Sequence, residues 1–244
     1  RPSAQPANAK RRKTQQTTPA MLMKAESPSG QAQLKRANRM ALIRQLRVQP
    51  GLSRVDLAEA IGLTKSTVSA LVRELLDEGW LVEREVIATG DLGRRPTPLF
   101  IDPTRLLLLG AQVGIGHVRV VLTSLTGEVL SARSATYDDT REVEACIKVL
   151  TRTLLAATAE CSASQTVIGI GLGLPGGVDQ AQDQLVFAPH LHWHHVPFGT
   201  LLRTALRGTP LSKAPVFMQN DADVAALSET EFNPSPAADP LLLV

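Results

Sequence analysis

The chain has 244 residues, 43% hydrophobic and 20% charged, so it is long and apolar enough to fold into two or three globular domains. Aromatic residues make up only 3%, which argues against RNA-binding modules that stack bases on exposed rings. No apolar run approaches the roughly 18 residues of a membrane span, and two cysteines outside any CxxC motif argue against a disulfide or zinc framework. We therefore expect a cytoplasmic protein with no membrane partner.

Charge is distributed unevenly along the chain. Residues 1–104 contain 17 Lys and Arg against 10 Asp and Glu, whereas residues 105–244 contain 9 against 13. A basic N-terminal part joined to a mildly acidic C-terminal part predicts a polyanionic partner for the first part only.

Residues 1–33 are rich in Pro, Ser, Gln, Thr and Ala and predict a disordered arm. A basic cluster, KRRK, occupies residues 10–13. This cluster can contact phosphates, or it can be part of a solvated tail.

Residues 34–104 predict a winged helix-turn-helix. A helical apolar pattern begins at Leu34, and Pro50 stops it. Ser53 is placed to cap a second helix, and Asp56 three residues later completes a capping box.

The second helix is predicted to end at Gly62, and Thr64 to cap a third helix that runs to about Glu78. Residues 80–86 and 97–102 then read as two strands, joined by the turn ATGDLGRRP. Three helices followed by such a hairpin form a winged helix-turn-helix.

The third helix has an apolar face that packs inward and a polar face that a DNA major groove can accept. Short donors and one cation near its N-terminus suit base edges and phosphates, and arginines on the wing suit the minor groove or the backbone. An ordinary three-helix packing unit is the alternative. The candidate DNA-binding residues are Lys65, Ser66, Thr67, Ser69, Arg73, Arg94 and Arg95.

Residues 105–244 alternate strands with helices and so predict an α/β layer. The apolar segment TVIGIGLGL ends in Pro-Gly-Gly, and VFMQ ends in Asn-Asp before a helix. In such layers ligands bind at the carboxyl ends of strands, so the two loops are predicted to share one pocket. The candidate effector-binding residues, suited to a polyol, are Gly176, Gly177, Asn220 and Asp221.

Five segments, in this order, resemble the ROK family of repressors, open reading frames and sugar kinases. They are GLTKSTVSALVRELLDEGWLVE, GRRPTPLFIDP, GIGLGLPGGVD, APHLHW and VFMQNDADVAALSE. The resemblance runs from about Leu34 to the C-terminus, and it implies a winged helix before a sugar-kinase-like lobe with the actin-like ATPase (ribonuclease H-like) fold. The predicted domains are residues 1–33, 34–104 and 105–244.

The chain departs from the family's kinases in the first phosphate loop. There the kinases have an Asp-x-Gly-x-Thr-type sequence, and the matching positions here hold Gln112 and Gly116. Neither residue supplies the carboxylate or hydroxyl that organises metal and phosphates. Asp221, which matches the kinases' catalytic base, can still accept a hydrogen bond from a sugar hydroxyl.

Two further departures concern the C-terminal half of the family pattern. His190 stands where the family usually has Asn, and the family's later His and Cys-rich zinc motif have no counterpart. The ending DPLLLV resembles a strand leading into the second phosphate loop. We therefore expect the lobe to be truncated in this chain.

Other constellations carry weaker hypotheses. His190, His192 and His194 would share a face if they lay on a strand, and three imidazoles can bind zinc or nickel. The alternative is a loop with unrelated histidines. Asp179, which could pair with other carboxylates, is interpreted as a turn residue. The glycines at 110, 114 and 116 give only a weak nucleotide-loop signal.

The hypothesis that follows is a transcriptional regulator, a repressor, of sugar-metabolism genes that binds double-stranded DNA and senses a sugar. It is expected to be a homodimer or higher homo-oligomer with no catalytic residues, no cofactor and no metal. One alternative is a ROK-type hexose kinase with an appended DNA-binding module. Another is a regulator that no longer binds a sugar and responds to a protein partner.

Overall fold

A computed structural model of the chain describes residues 28–84, 97–138 and 140–232. The basic cluster at residues 10–13, the wing arginines Arg94 and Arg95 and the ending DPLLLV lie outside the described residues. The chain divides into two units, residues 1–40 and residues 41–244.

Helix α1 spans Pro28–Val48, so it begins six residues before the predicted start at Leu34. Residues 28–33 were predicted to end the disordered arm, and the structure corrects this boundary. Proline is tolerated in a first helical turn, and the Gln-Ala-Gln that follows consists of good helix formers. The composition of the arm concealed this local preference.

The next two helices have the predicted caps. Helix α2 spans Arg54–Ile61, with Ser53 and Asp56 forming the capping box and Gly62 in the left-handed conformation at its end. Helix α3 spans Lys65–Asp77, and the Thr64 side chain accepts a hydrogen bond from the backbone N–H of Thr67. Short polar side chains at helix starts satisfy backbone donors that have no partner within the helix, which is why the sequence locates these ends well.

Strands β1 (Leu81–Glu83) and β2 (Leu99–Ile101) pair antiparallel and form the wing. Trp80 and Arg84, which were predicted to belong to the first strand over residues 80–86, lie just outside β1, and residues 85 and 86 lie outside the described residues. One apolar cluster joins the wing to the helices and excludes water from their shared interior. Its buried members are Leu42, Leu46, Leu57, Ala58, Val68, Leu71, Val72, Leu75, Leu81, Leu99 and Ile101.

The remaining elements form the α/β part. In chain order they are β3 (Leu106–Gly114), β4 (His117–Ser124), β5 (Val129–Thr136), α4 (Val143–Ala157), β6 (Thr166–Leu174), β7 (Gly177–Asp179), β8 (Gln184–Ala188), β9 (Trp193–Val196), α5 (Phe198–Ala205), β10 (Val216–Asn220) and α6 (Asp221–Phe232).

The main sheet has the strand order β10-β6-β3-β4-β5. β3, β6 and β10 run parallel, whereas β4 and β5 form an antiparallel meander beside β3. This is the arrangement of an actin-like ATPase lobe, as the sequence predicts. Its parallel strands bring their carboxyl ends, and the loops that follow them, to one edge.

Alternate residues of β3 and β4 are buried, as expected for a sheet packed on one face. Leu107, Leu109, Val118 and Val120 are buried in the same cluster as Leu150 and Leu154 of α4. Residues on the opposite face, such as Leu108 and Val121, are exposed. The core therefore lies between the sheet and α4.

A second, antiparallel sheet of three strands has the order β7-β8-β9. Trp193 on β9 packs its ring near that of Phe198 at the start of α5, with centroids 6.1 Å apart. The sequence analysis did not predict this sheet. In the described part of the chain, no helix is both long enough and apolar enough to cross a membrane.

Candidate functional site

The first candidate surface is the polar face of α3. Lys65, Ser66 and Arg73 are exposed and Thr67 and Ser69 are half-buried. Val68, on the opposite face, is fully buried. The structure thus brings the five predicted α3 residues onto one helix whose other face is fixed in a core.

Hydroxyl groups cluster at the N-terminus of α3. Thr64 Oγ1 lies 3.0 Å from Ser66 Oγ and 2.8 Å from Thr67 Oγ1, and it also accepts from the Thr67 N–H at 3.2 Å. Ser66 and Thr67 therefore belong to the cap as well as to the candidate DNA face. Sequence reasoning placed both residues on the third helix but missed this second role, and their contact with DNA stays a prediction.

The base of the wing is held by two arginines. The Arg54 guanidinium lies 2.6 Å from Glu83 Oε1, and the Arg84 guanidinium lies 4.5 Å from the centre of the Phe100 ring. Glu83 ends β1, so the Arg54 contact ties α2 to the hairpin. Phe100 lies in β2, so the Arg84 contact joins the two sides of the hairpin.

The second candidate site lies at the carboxyl edge of the main sheet. Gln112 on β3 and Gln219 on β10 both stand opposite Gly173 on β6, between them. Asp221 begins α6 directly after β10. These residues line an open cleft of about 640 Å³. A smaller cleft of about 400 Å³ adjoins it at Gln219 and reaches Gly176, Gly177 and Asn220. The four predicted effector residues are thus brought to one place.

The side chain of Asn220 makes three hydrogen bonds within the protein. Its Nδ2 donates to the Gly176 carbonyl at 2.8 Å, and its Oδ1 accepts from the backbone N–H groups of Ala222 at 2.9 Å and Asp223 at 3.2 Å. It therefore acts as an N-cap for α6 while fixing the Pro-Gly-Gly loop. The sequence analysis did not foresee this positioning role, and the predicted contact of Asn220 with a polyol stays a prediction.

The glycines of that loop allow a close approach between chain segments. Gly176 has φ +143°, and a Cβ there would collide with the Phe187 carbonyl of β8. A Cβ at Gly177 would lie 2.5 Å from the Phe187 ring. Glycine at both positions lets the loop pack against β8 while its backbone stays open to the smaller cleft.

Three side chains that the sequence analysis did not single out for the pocket also border the clefts. The Gln180 amide donates to Gln219 Oε1, and Gln219 Nε2 donates to Asp223 Oδ2 at 3.1 Å. Gln219 directly precedes the Asn-Asp pair and Asp223 follows it after Ala222, which was the available signal. Gln180 follows β7 and comes near because β7 contacts β10.

Tyr137 holds the loop that corresponds to the first phosphate loop. Its hydroxyl donates to the Gly114 carbonyl at 2.7 Å, and its backbone N–H donates to the Gly116 carbonyl at 3.0 Å. Burial raises the pKa of Tyr137 above its usual range. Burial also raises the pKa of the neighbouring Cys146 thiol from 9.0 to about 12. Both groups stay neutral at physiological pH.

The histidine hypothesis is wrong in its geometry. Residues 189–191 form a 3₁₀ turn and His192 has φ +59°, so the strand begins only at Trp193. His190, His192 and His194 therefore do not share a strand face. Within the described ranges, no group of three or more His, Cys, Asp or Glu is placed to hold a metal.

Asp179 has the turn role that the sequence analysis favoured. Its Oδ1 accepts from the N–H groups of Ala181 at 2.9 Å and Gln182 at 3.1 Å. Those bonds fix the turn between β7 and β8. They leave Asp221 and Asp223 as the carboxylates that face the clefts.

The profile of the ROK family matches residues 108–244, and that of a winged helix-turn-helix DNA-binding domain matches residues 35–82. The chain belongs to the ROK family. The two matched regions correspond to the two parts of the fold that hold the candidate sites.

Several curated transcriptional repressors are similar to the chain over most of its length. The xylose repressor of Bacillus subtilis is 28% identical over 219 residues, covering 86% of this chain and 53% of the repressor. The xylose repressor of Caldicellulosiruptor bescii is 27% identical over 202 residues, covering 82% and 48%. The Escherichia coli repressor Mlc is 23% identical over 229 residues, covering 91% and 54%. The chain spans about half the length of these relatives.

Among solved structures, a ROK family transcriptional regulator described as a homologue of E. coli Mlc superposes with a TM-score of 0.64. It is 24% identical, and the match covers 82% of this chain and 49% of the regulator. At this identity the match supports the fold alone.

Proposed function

We propose that the protein is a DNA-binding transcriptional repressor of sugar-metabolism genes whose affinity for its operator is set by a sugar. The observation that carries this proposal is the presence, in one chain, of an exposed polar face on α3 and an open cleft lined by Asp221. Relatives named as xylose repressors support the same assignment.

The N-terminus of α3 provides the features that major-groove recognition needs. Lys65 and Arg73 supply positive charge for phosphates, and Ser66 and Ser69 supply short hydroxyls for base edges. We assign the same role to Thr67, and backbone or minor-groove contacts to Arg94 and Arg95 on the wing. A homodimer on a pseudo-palindromic operator, in the cytoplasm, completes the proposal.

The cleft suits a neutral, hydroxyl-rich ligand. Asp221 and Asp223 are the charged residues in its walls, and the described part of the chain places no lysine, arginine or histidine there. Carboxylates accept hydrogen bonds from hydroxyls and repel anions. Backbone groups of Gly176 and Gly177 complete the proposed sugar contacts, with Asn220 positioning the loop.

Phosphoryl transfer is not part of the proposal. Gln112 lies exposed at the end of β3, at the position where the kinases of the family carry a carboxylate. An amide does not organise a metal ion beside a triphosphate as a carboxylate does. Formation of ADP from ATP in the presence of hexoses or pentoses would restore the kinase alternative.

The test is an operator selected by the protein from random duplexes, followed by fluorescence anisotropy with and without candidate sugars. The proposal expects one duplex to bind at least about a thousandfold more tightly than random DNA. It further expects one sugar to change that affinity. Selection of no sequence would contradict the repressor assignment, whereas selection without any sugar effect would contradict only the sensor assignment.

A further inference from the structure

Helix α6 begins at the two adjoining clefts of the main sheet, lined by Asp221 and by Gly176, Gly177 and Asn220, which we together call the effector cleft. Asn220 caps its first turn and holds the Gly176 carbonyl, and Asp221 opens into the larger cleft. A ligand that moves the Pro-Gly-Gly loop must therefore act on the start of this helix.

The other end of α6 contacts the last turns of α1, the first helix of the DNA-binding part. Arg44 Nη2 lies 3.0 Å from Glu231 Oε1, and Arg47 Nη2 lies 3.7 Å from Glu231 Oε2. The Arg47 guanidinium also lies 4.5 Å from the centre of the Phe232 ring. We call Arg44, Arg47, Glu231 and Phe232 the α1–α6 contact.

Between its ends the helix lines the larger cleft with Val224 and Leu227. Twelve residues of α-helix span about 18 Å, so a displacement at one end can reach the other without bending. A short helix held at both ends can therefore move as a unit.

We infer that α6 is the connection through which the effector cleft acts on the DNA-binding helices, with Asn220 and the α1–α6 contact as its two fixed ends. This inference rests on the proposed function, because it assigns the route by which that cleft regulates DNA binding. Leu42 and Leu46, buried in the helix-turn-helix core, flank Arg44 and Arg47 on α1. A change at the contact is therefore delivered to the core that orients α3.

The test measures hydrogen exchange of the α1 amides at residues 43–48 and needs neither DNA nor sugar. Four full-length proteins are compared: the wild type, Asn220→Ser, Phe232→Leu and the double variant. Serine keeps a capping oxygen but loses the amide that holds Gly176. Leucine keeps an apolar side chain but loses the ring under Arg47.

We expect Asn220→Ser to accelerate exchange at residues 43–48 several-fold, although it lies in the other part of the protein. Phe232→Leu should accelerate the same amides. The double variant should exchange hardly faster than either single variant, because each single substitution already breaks the connection. Exchange in α3 reports whether a variant has merely loosened the whole domain, and it should change by less than twofold in all four proteins.

Two matched controls sharpen the result. Phe232→Tyr keeps a ring for Arg47 and should exchange like the wild type. Glu128→Gln removes a carboxylate from the turn between β4 and β5 and should also leave exchange at residues 43–48 unchanged. Glu231→Gln, which removes the partner of Arg44 and Arg47, should accelerate exchange as Phe232→Leu does. Wild-type exchange at residues 43–48 in Asn220→Ser, or fully additive effects in the double variant, would overturn the inference.

A second measurement separates this inference from the proposed function. If D-xylose changes operator affinity in the wild type, Phe232→Leu should reduce that change to less than twofold while still binding both xylose and DNA. Typical coupling between sites is roughly 5- to 150-fold, so the loss is measurable. Unaltered coupling in Phe232→Leu overturns the α6 route and leaves the repressor assignment intact.

Discussion

At the scale of single residues, the two carboxylates that line the clefts give the proposed sugar site a negative charge. Asp221 and Asp223 lie two residues apart on the first turn of α6, beside the amides of Gln180 and Gln219. Two unit charges about 4 Å apart repel by about 1 kcal/mol even in water, so a phosphate group placed among these residues is penalised.

We therefore expect the protein to bind a neutral sugar at least about fivefold more tightly than the phosphate ester of the same sugar. Isothermal titration with each matched pair measures the ratio. Replacing both carboxylates by amides, Asp221→Asn with Asp223→Asn, should narrow the ratio. Tighter binding of the phosphate by the unaltered protein would show that cations outside the described residues govern the site.

The buried thiol of Cys146 should make the free energy of unfolding fall as the pH rises above 9. Its pKa is about 12 in the folded protein because of burial, against an ordinary value of 9.0. The unfolded chain therefore releases this proton first as the pH rises. The stabilisation is fully present below pH 9 and is lost between about pH 9 and 12.

Urea unfolding at a series of pH values in this range gives the free energy of unfolding at each pH. This free energy should fall more steeply with pH for the wild type than for Cys146→Ala, by up to about 1.4 kcal/mol per pH unit. Cys161, which is less buried, provides the control: Cys161→Ala should leave most of the wild-type slope. Equal slopes for the wild type and Cys146→Ala would mean that the thiol does not titrate in this way.

At the scale of elements, the helix caps of the DNA-binding part are local and strong. Ser53 is 5% exposed, and its side chain and backbone both exchange hydrogen bonds with Asp56, at 3.3 and 3.0 Å. These bonds with Ser53 lower the pKa of Asp56.

Ser53→Ala should reduce the free energy of unfolding by about 1 kcal/mol, because the backbone N–H of Asp56 loses the Ser53 hydroxyl as its acceptor. Ser53→Asp, which keeps a capping oxygen, should recover most of that loss in the same chemical denaturation experiment. A fully wild-type midpoint for the alanine variant would show that the cap adds nothing to the helix.

For α3, Arg73→Ala should weaken binding to all duplexes alike and reduce the salt dependence of log K by about 1. Ser69→Ala, and likewise Ser66→Ala, should instead change which sequences are preferred. The matched control is Arg152→Ala, an exposed arginine on α4 that should not alter DNA binding. Unchanged sequence preference in both serine variants would show that α3 does not turn Ser66 and Ser69 toward the bases.

For the wing, Arg94→Ala combined with Arg95→Ala is expected to cost about 1–3 kcal/mol in operator binding and to give a shallower salt slope. Anisotropy titrations over a range of salt concentrations measure both quantities. Wild-type operator affinity in this double variant would show that Arg94 and Arg95 do not contribute to DNA binding.

Elements defined by nearby residues could be predicted, whereas those defined by distant pairings could not. Ser53, Gly62 and Thr64 act within their own helix ends, so the sequence located α2 and α3 to within a residue or two. The sheet formed by β7, β8 and β9 depends on pairings such as Phe187 with His194, and short strands without clear alternation gave no local sign of it.

The candidate site followed the same division. The position of Asn220 and Asp221 was predictable, because carboxyl ends of parallel strands meet at one edge. The engagement of Asn220 with Gly176 was not, since it joins residues 44 positions apart in the chain. Side-chain roles within a pocket depend on such contacts, and a motif alone does not specify them.

At the scale of the whole molecule, α6 begins at the cleft that follows β10 and ends against the last turns of α1, the helix that shares a core with α3. A sugar can change operator affinity only as far as it binds the two states of the protein unequally. The central claim is that the cleft at Asp221 and the polar face of α3 belong to one such equilibrium.

The most direct test is operator affinity, measured by anisotropy with and without a saturating sugar, in the wild type and in Asp221→Asn. Our account predicts that the sugar changes the wild-type Kd by about fivefold or more and leaves the Kd of Asp221→Asn unchanged. An equal shift in both proteins would contradict it, because the sugar would then act from somewhere other than this cleft.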